Sequence, residues 1–244
     1  MENTESIKVK ESSSSNKNKS KYVLEFITEK IFMISAFVAV ISLLLIIGFV
    51  FYKGLMPFAT EGYSFIDFIF GTEWLPSSKE FGIGAMIVTS MVATVGALII
   101  GVPIGILAAI FIAEICPKKY ARVISTAVEL LAGIPSVLYG IFGLAVIVPA
   151  IQTVLSLPKG QSLLAVIIVL SIMMLPTIIS LSETSIRAVP KAYKEGSLAL
   201  GASKIETIFK VTVPAAKSGI LAGVILGIGR ALGETMAVIL VAGN

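Results

Sequence analysis

The sequence predicts an all-α integral membrane protein of about five spans, and three observations predict it. Hydrophobic residues make up 56% of the 244 and charged ones only 14%, where a water-soluble domain carries roughly 25% charged residues. The apolar residues are gathered into long blocks instead of being spread at core spacing. Lysine and arginine concentrate in alternate connections between those blocks.

The N-terminal residues 1–30 are polar and lysine-rich, with a serine run from Ser12 to Ser15. Such a stretch buries too little apolar surface to order itself, so residues 1–30 are expected to be a disordered basic cytoplasmic tail near anionic lipid, followed by a membrane domain over 31–244. Given its polarity and the length of the first block, no block resembles a cleavable leader, and none is expected. Blocks follow at residues 31–52, 83–113, 123–151, 163–181 and 219–242, each long enough to cross roughly 30 Å of hydrocarbon at about 1.5 Å per residue. The second contains Gly101, Pro103 and Gly105, which predicts a tilted or kinked helix. Pro135 and Pro149 in the third and Pro176 in the fourth free backbone carbonyls that only neighbouring protein or water can satisfy, so a packed bundle is expected.

Placing the N-terminus in the cytoplasm puts 15 of the 19 basic residues inside and 3 outside, with Arg230 in the membrane. The outer segment 53–82 holds Tyr63, Trp74 and several Phe and is expected to lie partly in the membrane surface. Composition also excludes much chemistry. With no His there is no imidazole metal ligand, Ser-His-Asp triad or His proton shuttle, and the lone Cys116 makes neither an intrachain disulfide nor a CxxC site. No G-x-x-x-x-G-K-[ST] occurs, so the chain has no P-loop. It is expected to be a non-catalytic subunit without cofactor or metal.

Residues 182–218 are too long for an ordinary connection within a bundle. Their pattern is helical, and predicts a cytoplasmic helix pair capped by Gly201 and closed by Pro214. Within it stand Glu195-Gly196-Ser197, then Gly201, then, nine residues on, Val211-Thr212-Val213-Pro214. This resembles the EAA loop of permease subunits of bacterial ABC importers, written E-A-A, three residues, G, nine residues, I-x-L-P. Glu, Gly and Pro match; Gly196, Ser197, Val211 and Val213 depart from Ala, Ala, Ile and Leu. The runs Gly133-Ile134-Pro135-Ser136-Val137-Leu138-Tyr139-Gly140 and Gly229-Arg230-Ala231-Leu232-Gly233-Glu234-Thr235-Met236-Ala237 resemble in particular the PstC-type permeases of phosphate-specific importers.

That resemblance, over roughly residues 30–244, implies a type I importer permease bundle in a bacterial cytoplasmic membrane. It implies a second homologous permease subunit, two cytoplasmic ATPase subunits and an external phosphate-binding protein as partners, with no nucleic acid. ATPase coupling would fall to Glu195, Gly196, Ser197, Gly201 and Pro214, the coupling element running from Lys194 to Ser203. A sixth span is also expected in the family, where this sequence has five.

Arg230 is the midpoint of the last block and Glu234 stands four residues on. On one continuous helix the two share a face and are expected to pair, offsetting a cost of about 2.5 to 3.5 kcal/mol for each charge at the bilayer centre. A guanidinium has five donors, so Arg230 can hold a carboxylate and still offer donors to an oxyanion. Arg230, Glu234, Thr235 and Ser136 are therefore read as substrate-path residues, against a purely structural Arg230–Glu234 lock and, for the hydroxyls, bonding to their own helix. Two other classes remain in view: a proton-coupled secondary transporter using Glu234, or an assembly subunit that moves nothing. A permease for another oxyanion, sulfate or molybdate, is the nearest variant.

Overall fold

The computed structural model describes residues 2–60, 62–78 and 80–243, with side chains from Lys21 onward except Val23. The chain forms two compact units, Met1–Gly71 and Thr72–Asn244. In the first, helix α1 runs from Glu2 to Thr60. No glycine or proline precedes Gly48, so nothing in the covalent chain stops the helix from extending back through the polar stretch. The backbone of the segment expected to be disordered is thus helical from Glu2, while Met1 and the side chains through Ser20 lie outside the described residues. Its stretch Leu24–Thr60 is long and apolar enough to cross a membrane. A short α2, Phe65–Phe70, is capped by Ser64, and Phe58 meets Phe65 and Phe68 edge-on at centroid distances of 5.4 and 5.1 Å.

The second unit begins with a two-residue hairpin, β1 Trp74–Leu75 on β2 Glu80–Phe81, whose Trp74 and Phe81 rings pack edge-on. Helices α3 (Gly84–Ile110), α4 (Lys118–Ala132), α5 (Ser136–Phe142), α6 (Val148–Val154) and α7 (Leu163–Arg187) follow. Then come α8 (Lys191–Ala199), α9 (Lys204–Thr207), α10 (Val213–Ala215), α11 (Lys217–Leu232) and α12 (Met236–Ala242).

Helix α7 is the centre, with Val169, Leu170, Met173, Met174 and Ile178 buried along it. Small residues let two neighbours approach it closely. On α3, Ala93, Ala97, Gly101, Gly105 and Ala109 recur every fourth residue and are all buried. A Cβ on Gly105 would fall 2.8 Å from Ile178 Cγ2. On α11, Gly219, Gly223 and Gly227 repeat the spacing toward Ser185, Leu181 and Ile178 of α7. Between apolar helices that have no hydrophobic drive to associate in lipid, such small-residue seams supply attraction through backbone proximity.

Among the described residues three helices widen into single π-helical turns, Phe111–Ile115, Gly143–Ile147 and Ile208–Thr212. Each ends two residues before a proline: Pro117, Pro149 and Pro214. At Pro117 the helix has already ended in the extended Cys116. Where the helix runs on, at Pro149 and Pro214, proline has no N–H for the carbonyl four residues back and its ring clashes with that carbonyl, so a wider turn just upstream relieves the crowding. Pro214 accordingly does not close the loop helix as expected. It sits in the first turn of α10, and the chain bends by 69° at Ala216 between Lys204–Ala215 and Lys217–Leu232.

Two expected spans are corrected. The block at 123–151 breaks at Gly133-Ile134-Pro135, leaving the amphipathic α4 on one side and a membrane-length helix, Ser136–Val154, on the other. Pro135 biases its predecessor away from helical angles. The block at 219–242 breaks at Gly233-Glu234-Thr235. Among the described residues four helices can cross a membrane, or five counting the bent pair ending at Leu232.

Candidate functional site

The two helix breaks meet. Gly140 of α5 packs on α12 so closely that a Cβ there would lie 2.8 Å from Ala237 Cα. Beside it Tyr139, buried and donating its hydroxyl to the Leu131 carbonyl at 2.7 Å, lies within the electrostatic reach of Arg230. The runs 133–140 and 229–237, far apart in sequence, thus form one junction where four helix ends converge.

At that junction the expected Arg230–Glu234 pair does not form. The helix ends at Leu232, so the one-turn spacing that would align the two side chains is lost. Glu234 turns to the next helix, its Oε1 accepting from the Ala237 N–H at 3.0 Å. A carboxylate at the first turn of a helix satisfies a free donor there. Arg230, half-buried in the last turn of α11, has no hydrogen-bond or ion-pair partner among the described residues. Ser136 opens α5, half-buried, and Thr235 is exposed at the start of α12. Neither bonds Arg230 or Glu234 among the described residues.

The loop residues lie on α8 and the turn after it. Glu195 and Gly196 are exposed, and Ser197 is half-buried with its Oγ 2.9 Å from Thr207 Oγ1. Gly201 ends the helix at φ +85°, a conformation that glycine adopts without steric cost. The Gly201 N–H reaches the Leu198 carbonyl and the Ala202 N–H the Ser197 carbonyl, the paired bonds of a Schellman cap. Ser203 and Glu206 then form a capping box that starts α9. The Ser203 backbone and hydroxyl donors, with Lys210 behind them, pull the exposed Glu206 carboxyl down to about 2.

Sequence reasoning missed a second set of charges. Glu183 of α7, only 8% exposed, accepts from Arg187 Nε at 2.9 Å and from Ser125 Oγ of α4 at 2.8 Å. Arg187 Nη2 also donates to the Ile112 carbonyl at 3.1 Å. Glu114 is ion-paired with Lys194 of α8. The i,i+4 spacing of Glu183 and Arg187 was a visible signal; the partners on other helices were not. Among the described residues no cluster of His, Cys, Asp or Glu is arranged to hold a metal ion.

Residues 101–244 match the family described as binding-protein-dependent transport system inner membrane component. A probable ABC transporter permease protein YqgH of Bacillus subtilis is 45% identical over 194 residues, covering 79% of this chain and 63% of that protein. A phosphate transport system permease protein PstC of Mesorhizobium japonicum is 37% identical over 241 residues, covering 89% of this chain and 73% of its own. Among solved structures, a chain of the methionine ABC transporter MetNI in an inward-facing form aligns with 62% of this chain and 68% of that one. Its TM-score is 0.47 at 23% identity.

Proposed function

The chain belongs to the family of binding-protein-dependent transport system inner membrane components, and on that premise we propose that it is the permease subunit of an ATP-driven phosphate importer. With several apolar helices of membrane length it is a multi-pass membrane protein. In the proposed assembly a second, homologous permease completes the path. An external phosphate-binding protein loads it and two cytoplasmic ATPase subunits drive it, so that this subunit performs no catalysis itself. The N-terminus faces the cytoplasm, in keeping with the basic-residue asymmetry.

The observation that carries the reading is the unpaired Arg230 at the junction of the two breaks. A cation in an apolar surround is costly without a counter-charge. With Glu234 engaged in capping α12, all five guanidinium donors are available to a tetrahedral oxyanion that arrives stripped of water. Phosphate as that oxyanion is supported by the name of the Mesorhizobium relative. Ser136 and Thr235 stand at the starts of the two helices beyond the breaks, where they would line the path. The test is uptake by the assembled complex in vesicles: ATP-dependent phosphate accumulation that sulfate and molybdate do not displace, abolished by Arg230→Gln with the complex intact. Normal uptake by that variant would reject the path role, and preferential sulfate or molybdate uptake would reassign the substrate.

A further inference from the structure

Helix α8 carries no buried residue. An element with no buried residue depends on polar contacts for its position, and among the described residues the side chains of α8 make two. Lys194 pairs with Glu114 in the π turn Phe111–Ile115 that ends α3. Ser197 meets Thr207, the residue that leads into the π turn Ile208–Thr212. The helix read as the ATPase contact therefore hangs between two proline-backed π turns.

The Lys194–Glu114 pair is the more withdrawn from water than an ordinary surface bridge, its side chains 23% and 12% exposed. From it a polar path continues inward. Two residues before Glu114, the Ile112 carbonyl accepts from Arg187, Arg187 holds Glu183, and Glu183 accepts from Ser125 of α4. Six groups thus link α8 to the π turn that ends α3, to α7 and to α4, and α7 is the helix on which both small-residue seams close.

We propose that Glu114 and Lys194 are positioning residues for transport, the contact through which displacement of α8 is delivered to the π turn of α3 and, by Arg187 and Glu183, to α7. This rests on the importer reading and adds to it the specific link between loop and spans. A π turn suits the task because its wider ring can pass between α and π registers with little disturbance to the helix beyond it. Loss of the ion pair would leave α8 able to bind its ATPase but unable to pull on the bundle.

The test compares Glu114→Gln, Lys194→Met, the conservative Lys194→Arg, and the exchange Glu114→Lys with Lys194→Glu, in assembled complex in vesicles supplied with ATP and the phosphate-loaded binding protein. Phosphate moved per ATP hydrolysed is the readout, since a purely structural role would change assembly without changing that ratio. Each neutralising variant is expected to lower the ratio about tenfold, within the usual range of a coupling interaction, with ATPase still copurifying. Lys194→Arg and the exchange should restore it. Unchanged ratios in the neutralised variants, or assembly lost and not recovered by the exchange, overturn the inference while wild-type uptake leaves the importer reading standing. Absence of ATP-driven uptake in the wild type overturns both.

Discussion

The seam that α7 makes with α3 and α11 and the suspension of α8 are built on opposite principles. Along the seam, Ala97, Met174 and Ile178 have no exposure and the glycines admit no added carbon without displacing a neighbour. Helix α8 itself buries no residue, and Gly196 has no atom within 4 Å of where a Cβ would stand. Close packing resists any shift because its alternatives leave voids or overlaps. Ionic and hydroxyl contacts can be remade at a new position. The difference teaches where a working motion can originate: in the loop, with the seam moving as one body.

The sharpest way to break that contrast is to overfill the seam. Gly105→Val would drive branched carbons into Ile178, and at the equally close α5–α12 contact outside the seam Gly140→Val would push on the Ala237 backbone. Each is expected to cost about 3 kcal/mol, at the upper end of overpacking effects, read as a fall in the thermal midpoint of the detergent-solubilised protein. By contrast Gly196→Ala on α8 should stabilise by about 0.5 to 1 kcal/mol, because alanine is the better helix former and the space is open. A loss at Gly196 equal to that at Gly105 would erase the distinction.

The next effect down tests whether the charges below α7 belong to the rigid body or to the adaptable one. Arg187→Met would leave the buried Glu183 with Ser125 alone. A hydrogen bond to a charged group contributes about 1.5 to 3 kcal/mol, and the 44% exposure of the Arg187 side chain places the expected loss near the bottom of that range. Thr212→Val should act in the opposite direction. The Thr212 hydroxyl is fully buried with no partner among the described residues, so an isosteric methyl removes an unmet polar group. Stability should hold or rise by about 1 kcal/mol.

The contrast also explains what the sequence disclosed. Membrane class, the fourth block as a span and the loop helix pair were legible because they rest on block hydropathy and on local caps such as Gly201. The breaks at Gly133-Ile134-Pro135 and Gly233-Glu234-Thr235 were hidden because hydropathy runs on through them. With the second break hidden, Glu234 was assigned to Arg230 when it caps α12. The Glu114–Lys194 pair spans eighty residues and two elements, a contact that only the folded arrangement reveals. Arg230 was expected as an intramembrane charge paired with Glu234, and its lack of a partner among the described residues follows from where the helix stops.

The smallest expected effect lies at the outer edge of the adaptable region, where Glu206 closes the capping box of α9. Its carboxyl is held at about 2 against an ordinary 4.5, by Ser203 first and Lys210 after. A lowered folded value means that the unfolded chain takes up the proton first. The contribution is therefore fully present above about 4.5 and is lost as pH falls toward 2. Because the group is exposed, solvent screens most of the gain, and the effect should be visible in the titration more than in the unfolding midpoint. Carbon-13 shifts of the labelled glutamate should move with a midpoint near 2. Glu206→Gln, which keeps an acceptor for the Ser203 N–H, should leave uptake unchanged. A midpoint near 4.5 would show that the box is open in solution and that α9, like α8, is held by contacts beyond its own first turn.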